Sequence, residues 1–561
     1  MRRQSLGGRF APYDAYVRQR KMPLWDKACL FESAVGKNIN GNMFALMREM
    51  CANEAYAKFE IVFAVTEGML DKAQARFDAY GMQRVKLVVE ESSEYNEYLA
   101  RAKYLWNDDT FPAYFTKRPE QVYVNTWHGS GPKRLGLGDI ANSLRSFANV
   151  QKNLLTADYD LYPSEFTRDA FMRDYDLAPF YEGTILLHDY PRNDVLADLT
   201  VRELVREEQN YSQDTQVIAY MPTWRGTART VDDEDQVSAV KEQFEAIDDR
   251  LRDDQLLLVN LHFLVSSQLT YEDYKHIRPF PTTYETYDVL SACDVLISDY
   301  SSVVFDFAVT NRPIVLFAYD EEEYLADHGT FLPYHDLPFP IVHTVQELMD
   351  VLQPDLPAGG YDDFRSTFCA FHTGHATCDL LEYVLHSEDG NVKTEKCNPA
   401  PIDEALYVCN LGKRRVYEAV ASEIRERGRS GAVLITTATF SQNAIEALEE
   451  LHDHVHILFI VRRRVQTVGE KALFGIARRS ALLCRLLSPK LREYFAREAG
   501  QLLCGVTPKQ VRALAPDGSY FMWAVKGLDC ERVACMSIKP FGKRTLAQAR
   551  VCAAQGYQVE G

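Results

Sequence analysis

Three short stretches of the chain end an apolar run on side chains that can do chemistry. The first is Tyr123-Val-Asn-Thr-Trp127-His128-Gly129-Ser130-Gly131-Pro-Lys133-Arg134. A strand stopping there delivers an imidazole beside small residues at a cleft, and imidazole as a class accepts a hydroxyl proton near neutral pH. The same pattern also fits an ordinary core histidine. The second is Ser298-Asp299-Tyr300-Ser301-Ser302-Val-Val-Phe-Asp306-Phe, where hydroxyls open a helix. Ser301 and Ser302 there offer O–H and backbone N–H donors to a phosphate, the alternative being a plain helix cap. The third is Leu257-Leu-Val-Asn260-Leu261-His262-Phe263, a second histidine at a strand end that can face the first across a cleft. Between them lie Pro191-Arg192-Asn193-Asp194 and Met221-Pro222-Thr223-Trp224-Arg225. Arg192 can grip a phosphate through two N–H groups or serve a hinge salt bridge.

These residues need strands that end at a common edge. Up to about residue 390 the chain alternates β-type runs with amphipathic helical stretches, the pattern of parallel sheets with crossover helices. Strands are expected at Ala28 to Glu32, Glu60 to Val65, Val85 to Val89, Val122 to Thr126, Leu161 to Tyr162 and Ile185 to Leu187 in one unit. A second unit reads as Val217 to Met221, Leu256 to Leu261, Val295 to Ser298 and Ile314 to Phe317. The units meet near Asn193 to Thr200, and a ligand between them would sit at the carboxyl ends of the strands. The expected division is an N-terminal acceptor-side unit over 1–195 and a nucleotide-donor unit over 196–390. The segment from Gln353, with Pro and Gly punctuation, a helix around Ala376 to His386 and then polar SEDGNVKTEKCNPAP, reads as a linker to an accessory α/β body over 395–561.

At 561 residues, 46% of them apolar, the chain is expected to be globular throughout. Its polar start lacks the apolar stretch of a secretory signal, and its longest apolar run, near Leu256 to Val265, is interrupted by Asn260 and His262. The twelve cysteines are scattered without CxxC or zinc spacing, so a reduced, cytoplasmic protein is expected. The net charge of −18 is uneven: from Asn391 onward 26 basic and 17 acidic residues give +9, leaving −27 on the first part.

Taken together, WHGSGPKRLG, DLYPSEFTRDAF, PRND, YMPTWRG, LHFLVS and SACDVLISDYSSVVFDFAVTNRPIVLFAYDEEEY resemble the successive blocks of the CDP-glycerol glycerophosphotransferase family of wall teichoic-acid primases and polymerases. FESAVGKNINGN and YFTKRPEQVYVNTWHG are similar to that family's amino-terminal half, and the resemblance runs from about Leu30 to about His386. It implies a GT-B-like pair of Rossmann-like units facing a cleft. It also implies attack of an acceptor hydroxyl on the β-phosphorus of CDP-glycerol, with CMP leaving. His128 would then be the base or orient the hydroxyl, with Trp127, Gly129 and Ser130 beside it. His262 and Arg192 would neutralise the pyrophosphate, Ser301, Ser302 and Asp306 would hold the donor's phosphate and polyol, and Pro222 and Thr223 would border the cytidine. The chain has Ser130-Gly131 where the family usually has Thr-Pro. It also has Asn260 where an Arg often stands, which removes one cation and leaves glycerol or ribitol open as the polyol.

No cofactor is expected, since the CDP-polyol is a substrate, and no carboxylate cluster reads as a metal site, although pyrophosphate can bring a hydrated Mg²⁺. The expected partners are that donor and a lipid-linked or polymer hydroxyl acceptor, with no nucleic acid. Val461 to Gly500 places cations among Leu, Ile and Phe at roughly helical spacing. Such a face can lie on an anionic membrane surface, meet an anionic polymer, or simply be solvated. Attachment to the inner face of the cell membrane would suit a lipid-linked acceptor. Other readings are a GT-B sugar transferase using another nucleotide and a non-catalytic scaffold of surface-polymer assembly.

Overall fold

Near-continuous Val, Leu, Ile and Phe runs become strands buried on both faces, as parallel sheets covered by helices require. They are seen in a computed structural model that describes residues 11–561 apart from 130, 132, 224–232, 262–267, 354–355, 357, 388–389, 409–410, 428–432, 437–440, 462–464, 478, 515–531, 537–557 and 561.

The first sheet contains β1 (Trp25–Glu32), β2 (Glu60–Val65), β3 (Val85–Val89), β4 (Ala102–Asn107), β5 (Val122–Asn125), β6 (Tyr159–Tyr162) and β7 (Thr184–Leu187). They lie parallel in the order 3-2-1-4-5-6-7, so the strand order reverses between β1 and β4. There Phe31 pairs with Trp106 in register, and their rings stack 5.8 Å apart. β4 was not expected, because AKYLWN follows the helix Ser93–Arg101 with no Gly or Pro to mark the change.

The second sheet repeats the pattern with β8 (Gln216–Tyr220), β9 (Gln255–Val259), β10 (Ile277–Pro279), β11 (Val295–Ser298), β12 (Ile314–Phe317) and β13 (Ile341–Val342). Its order is 10-9-8-11-12-13, again parallel with a reversal between the first and fourth strands. Two Rossmann-like sheets in succession give the α/β, GT-B-like architecture.

The stretch read as a linker folds back instead. The helix Ala376–Leu381 and the turn Glu382–His386 bury Leu381, Val384 and Leu385 in the core of the first unit, beside Phe59 and Trp106. β14 (Lys393–Lys396) then pairs antiparallel with β7 and completes an eight-stranded sheet. The apolar stripe on the helix drives this return, so residues 376–396 pack with the first unit rather than the second.

The C-terminal body is a third parallel sheet, of β15 (Glu404–Val408), β16 (Val433–Thr436), β17 (His456–Phe459), β18 (Gln510–Leu514), β19 (Arg532–Met536) and β20 (Gln558–Glu560), in the order 17-16-15-18-19-20. Its edge strand β17 lies against the first unit. The Gln151 amide donates to the Ile457 carbonyl at 2.8 Å and accepts from Phe459 N at 2.9 Å, while the Asp176 carboxylate accepts from Ile457 N. Side chains thus stand in for a neighbouring strand.

Candidate active site

His128 follows β5 on a turn whose backbone is fixed from three sides. Asn125 Oδ1 accepts from Trp127 N at 2.9 Å, Asn42 Nδ2 donates to the Trp127 carbonyl at 3.0 Å, and Trp127 itself adopts φ 53°. Trp127 is buried and stacks on His128 with centroids 4.5 Å apart, whereas His128 is exposed. Its Nδ1 lies 2.7 Å from the backbone carbonyl of Asp108. A carbonyl can only accept, so Nδ1 carries the proton and Nε2 keeps the lone pair of a base in the neutral ring.

Asp108 directly follows β4, and Ser33 Oγ donates to its carboxylate at 2.7 Å and Ala34 N at 3.1 Å. Burial pushes this carboxyl up to about 6, against the pull of His128 and these donors. The residue therefore fastens the loop after β1 through its side chain and aims His128 through its backbone. Nothing in the sequence marks it, because β4 runs straight on from the helix Ser93–Arg101 without a boundary residue.

On the opposite unit the SDYSS turn leaves β11. Ser298 Oγ donates to the Met221 carbonyl at 2.6 Å, and the Asp299 carboxylate accepts from Thr223 N at 2.9 Å and from Thr223 Oγ1 at 2.6 Å. Asp299 thereby sets the Pro222-Thr223 loop against the serine turn, a role the reading did not assign. Ser301 and Ser302 are part-exposed where the helix Val303–Phe307 begins.

The two turns meet. At Gly129, φ 157°, an added Cβ would lie 2.5 Å from Ser302 Oγ and 2.8 Å from Ser302 Cβ, so only glycine permits this approach. Farther along the same loop, Lys133 bridges to Thr330, and Arg134 Nε donates to the Thr330 carbonyl at 3.1 Å. Lys133 is a half-buried cation in this seam, its pKa lowered by burial.

Arg192 and Asp306 form a buried pair behind the His128 turn. Arg192, 6% exposed, donates from Nη2 to Asp306 Oδ2 and from Nη1 to the His128 carbonyl, both at 2.8 Å. Tyr287 OH donates to the same Asp306 oxygen at 2.7 Å. Burial works against the Arg192 charge, but Asp306, Tyr287 and Tyr190 together outweigh it and hold the guanidinium above its ordinary range. The pair ties the first unit to the second directly behind the His128 turn. Two of the expected site residues, Ser130 and His262, lie outside the described residues, as does Trp224; Asn260 and Leu261 lead out of β9 toward His262.

Among the described residues no group of His, Cys, Asp or Glu is arranged to hold a metal ion. The arrangement offers a base with a fixed tautomer on one unit and hydroxyl donors on the other, across a narrow seam. That is what in-line transfer of a phosphoryl group to a hydroxyl requires.

The chain is similar to known proteins. The chain is 29% identical over 373 residues to a teichoic acid glycerol-phosphate transferase of Staphylococcus aureus (strain NCTC 8325 / PS 47), covering 63% of this chain and 92% of that one. It is 24% identical over 381 residues to a teichoic acid poly(glycerol phosphate) polymerase of Bacillus spizizenii (strain ATCC 23059 / NRRL B-14472 / W23), covering 65% and 93%. A structure of the wall teichoic acid polymerase TagF, a variant with CDPG, superposes with a TM-score of 0.55 at 24% identity, over 67% of this chain and 93% of that one. Residues 14–386 match the family described as CDP-Glycerol:Poly(glycerophosphate) glycerophosphotransferase, and the chain belongs to that family of transferases.

Proposed function

We propose that the protein moves a glycerol-phosphate unit from CDP-glycerol to a hydroxyl acceptor, releasing CMP, in the synthesis of a teichoic-acid-like or capsular polymer. The observation that carries this reading is the seam itself, where the His128 turn reaches the Ser301-Ser302 turn with glycine as the only residue that fits between. His128 Nε2 takes the acceptor proton as the oxygen attacks the β-phosphorus, and CMP departs with the electrons of the broken P–O bond. Ser301 and Ser302 bind the donor's phosphate and polyol, and the Pro222-Thr223 loop borders the cytidine. His262 supplies positive charge or a hydrogen bond to the pyrophosphate from the second unit. Arg192 acts differently from a phosphate ligand, holding the His128 turn and Asp306 together. The acceptor is lipid-linked or a growing polymer, met at the inner face of the membrane. Among the described residues no helix is long and apolar enough to cross a bilayer.

The test is CMP release from CDP-glycerol by the purified protein with and without His128→Ala. General-base catalysis contributes roughly 10²- to 10⁴-fold, so turnover should fall by that much. Because His128 is exposed, the thermal midpoint should hold. Unchanged turnover would remove His128 as the base. Stabilisation by a UDP-sugar alone in a thermal-shift comparison would favour the sugar-transferase reading.

A further inference from the structure

Among the described residues eight large apolar side chains are exposed, and four of them, Val468, Ile476, Leu482 and Leu486, fall in one helical hairpin of the third body. The hairpin is the helix Val468–Ala477 followed by the helix Ala481–Leu487. Val468, Ala472 and Ile476 are spaced by four residues and all exposed, so they form one stripe; Leu482 and Leu486, also four apart, form another, 68% and 63% exposed. The opposite faces are spent on a small core of Phe474, Ala477, Leu491, Tyr494 and Phe495. Both stripes are thus left outside.

Exposed cations sit among them: Lys471, Arg479, Lys490 and Arg492. The acidic residues nearby are engaged, Glu470 with Arg497 and Glu493 with Lys21, each at 2.7 Å. A soluble polyanion would account for the cations but give no reason to keep leucines bare. A bilayer with anionic headgroups accounts for both, since apolar side chains enter the acyl boundary while cations stay at the phosphate level.

We propose that this hairpin of the third body, with the adjoining turn that carries Lys490 and Arg492, is a docking surface for an anionic lipid membrane. The hairpin and the catalytic seam share no residues, so membrane docking and transfer chemistry are separable. This goes beyond the transfer reaction, and its test does not depend on turnover.

The full-length protein is sedimented with vesicles of phosphatidylglycerol and phosphatidylcholine, and with phosphatidylcholine alone. The wild type should partition to the anionic vesicles, and salt should weaken that partition. Leu482→Glu with Leu486→Glu should lower it at least tenfold, and Lys490→Glu with Arg492→Glu should lower it on anionic vesicles. Both variants should keep the wild-type circular dichroism and CMP release. The proposal fails if the wild type stays in the supernatant or if both variants bind like the wild type. It also fails if the leucine variant breaks an oligomer while vesicle binding persists, because the stripes would then join copies of the chain.

Discussion

Arg192 is a buried cation whose charge is satisfied by one carboxylate, and that arrangement has a measurable consequence. Removing one partner of such a pair strands the other's charge, which typically costs about 3–5 kcal/mol, whereas replacing both with apolar residues is often close to neutral. Arg192→Ala should therefore lower the unfolding free energy by about that amount in urea titration, and Arg192→Met with Asp306→Leu should recover much of it. Equal losses in the single and double variants would show that the pair is not what joins the units there. At this scale the sequence singled out His128, Gly129, Ser301 and Ser302 as candidates, because each stands close to a strand end inside a distinctive string. It could not carry the partner of Arg192, which lies 114 positions away in the chain. Nor could it show Asp108, whose contribution to His128 is a backbone carbonyl that any residue type would present.

The first two units are also joined through helices that the sequence reading treated only as crossovers. Glu285 caps the helix Thr286–Ala292, accepting from Tyr287 N, and also accepts from Gly41 N of the first unit at 2.9 Å. Beside it, Asp288 pairs with Arg48 at 3.0 Å and accepts from Tyr80 OH at 2.5 Å. Burial, reinforced by Asp288, raises the Glu285 carboxyl from 4.5 to about 7. Between those pH values the folded chain keeps a proton that the unfolded chain has lost, so stability falls as pH rises through the window. Glu285→Gln keeps an acceptor but cannot ionise. Its urea midpoint should decline less than the wild type's between pH 5 and pH 8, and parallel declines would count against Glu285 as the source. Strand existence was legible where a run was apolar and set off by polar or turn residues, as in β2 and β11. It was not legible for β4, fused to the preceding helix, or for β14, a polar edge strand reading KTEK.

Across the whole molecule, the uneven charge suggested two differently charged bodies joined in one chain, and composition alone could not reveal that they share an interior. One apolar core runs from Trp127, Phe147 and Leu154 of the first unit to Leu434, Ile457 and Phe459 of the third, with the Phe147 and Phe459 rings 4.5 Å apart. Trp127, which carries the His128 turn, touches Phe171 at 5.2 Å, and Phe147 touches Tyr175, so the third body packs behind the candidate base. A continuous apolar core shared by the two units, closed by Gln151 and Asp176 along β17, makes separate unfolding of the third body unfavourable. Calorimetry should therefore show the first and third units melting in one transition. Gln151→Ala should shift that transition as a whole, because it leaves the buried Ile457 carbonyl and Phe459 N–H unpaired at about 1–3 kcal/mol each. A distinct early transition for the third body, moved by Gln151→Ala while the rest stays fixed, would mean that the two cores are adjacent but energetically independent.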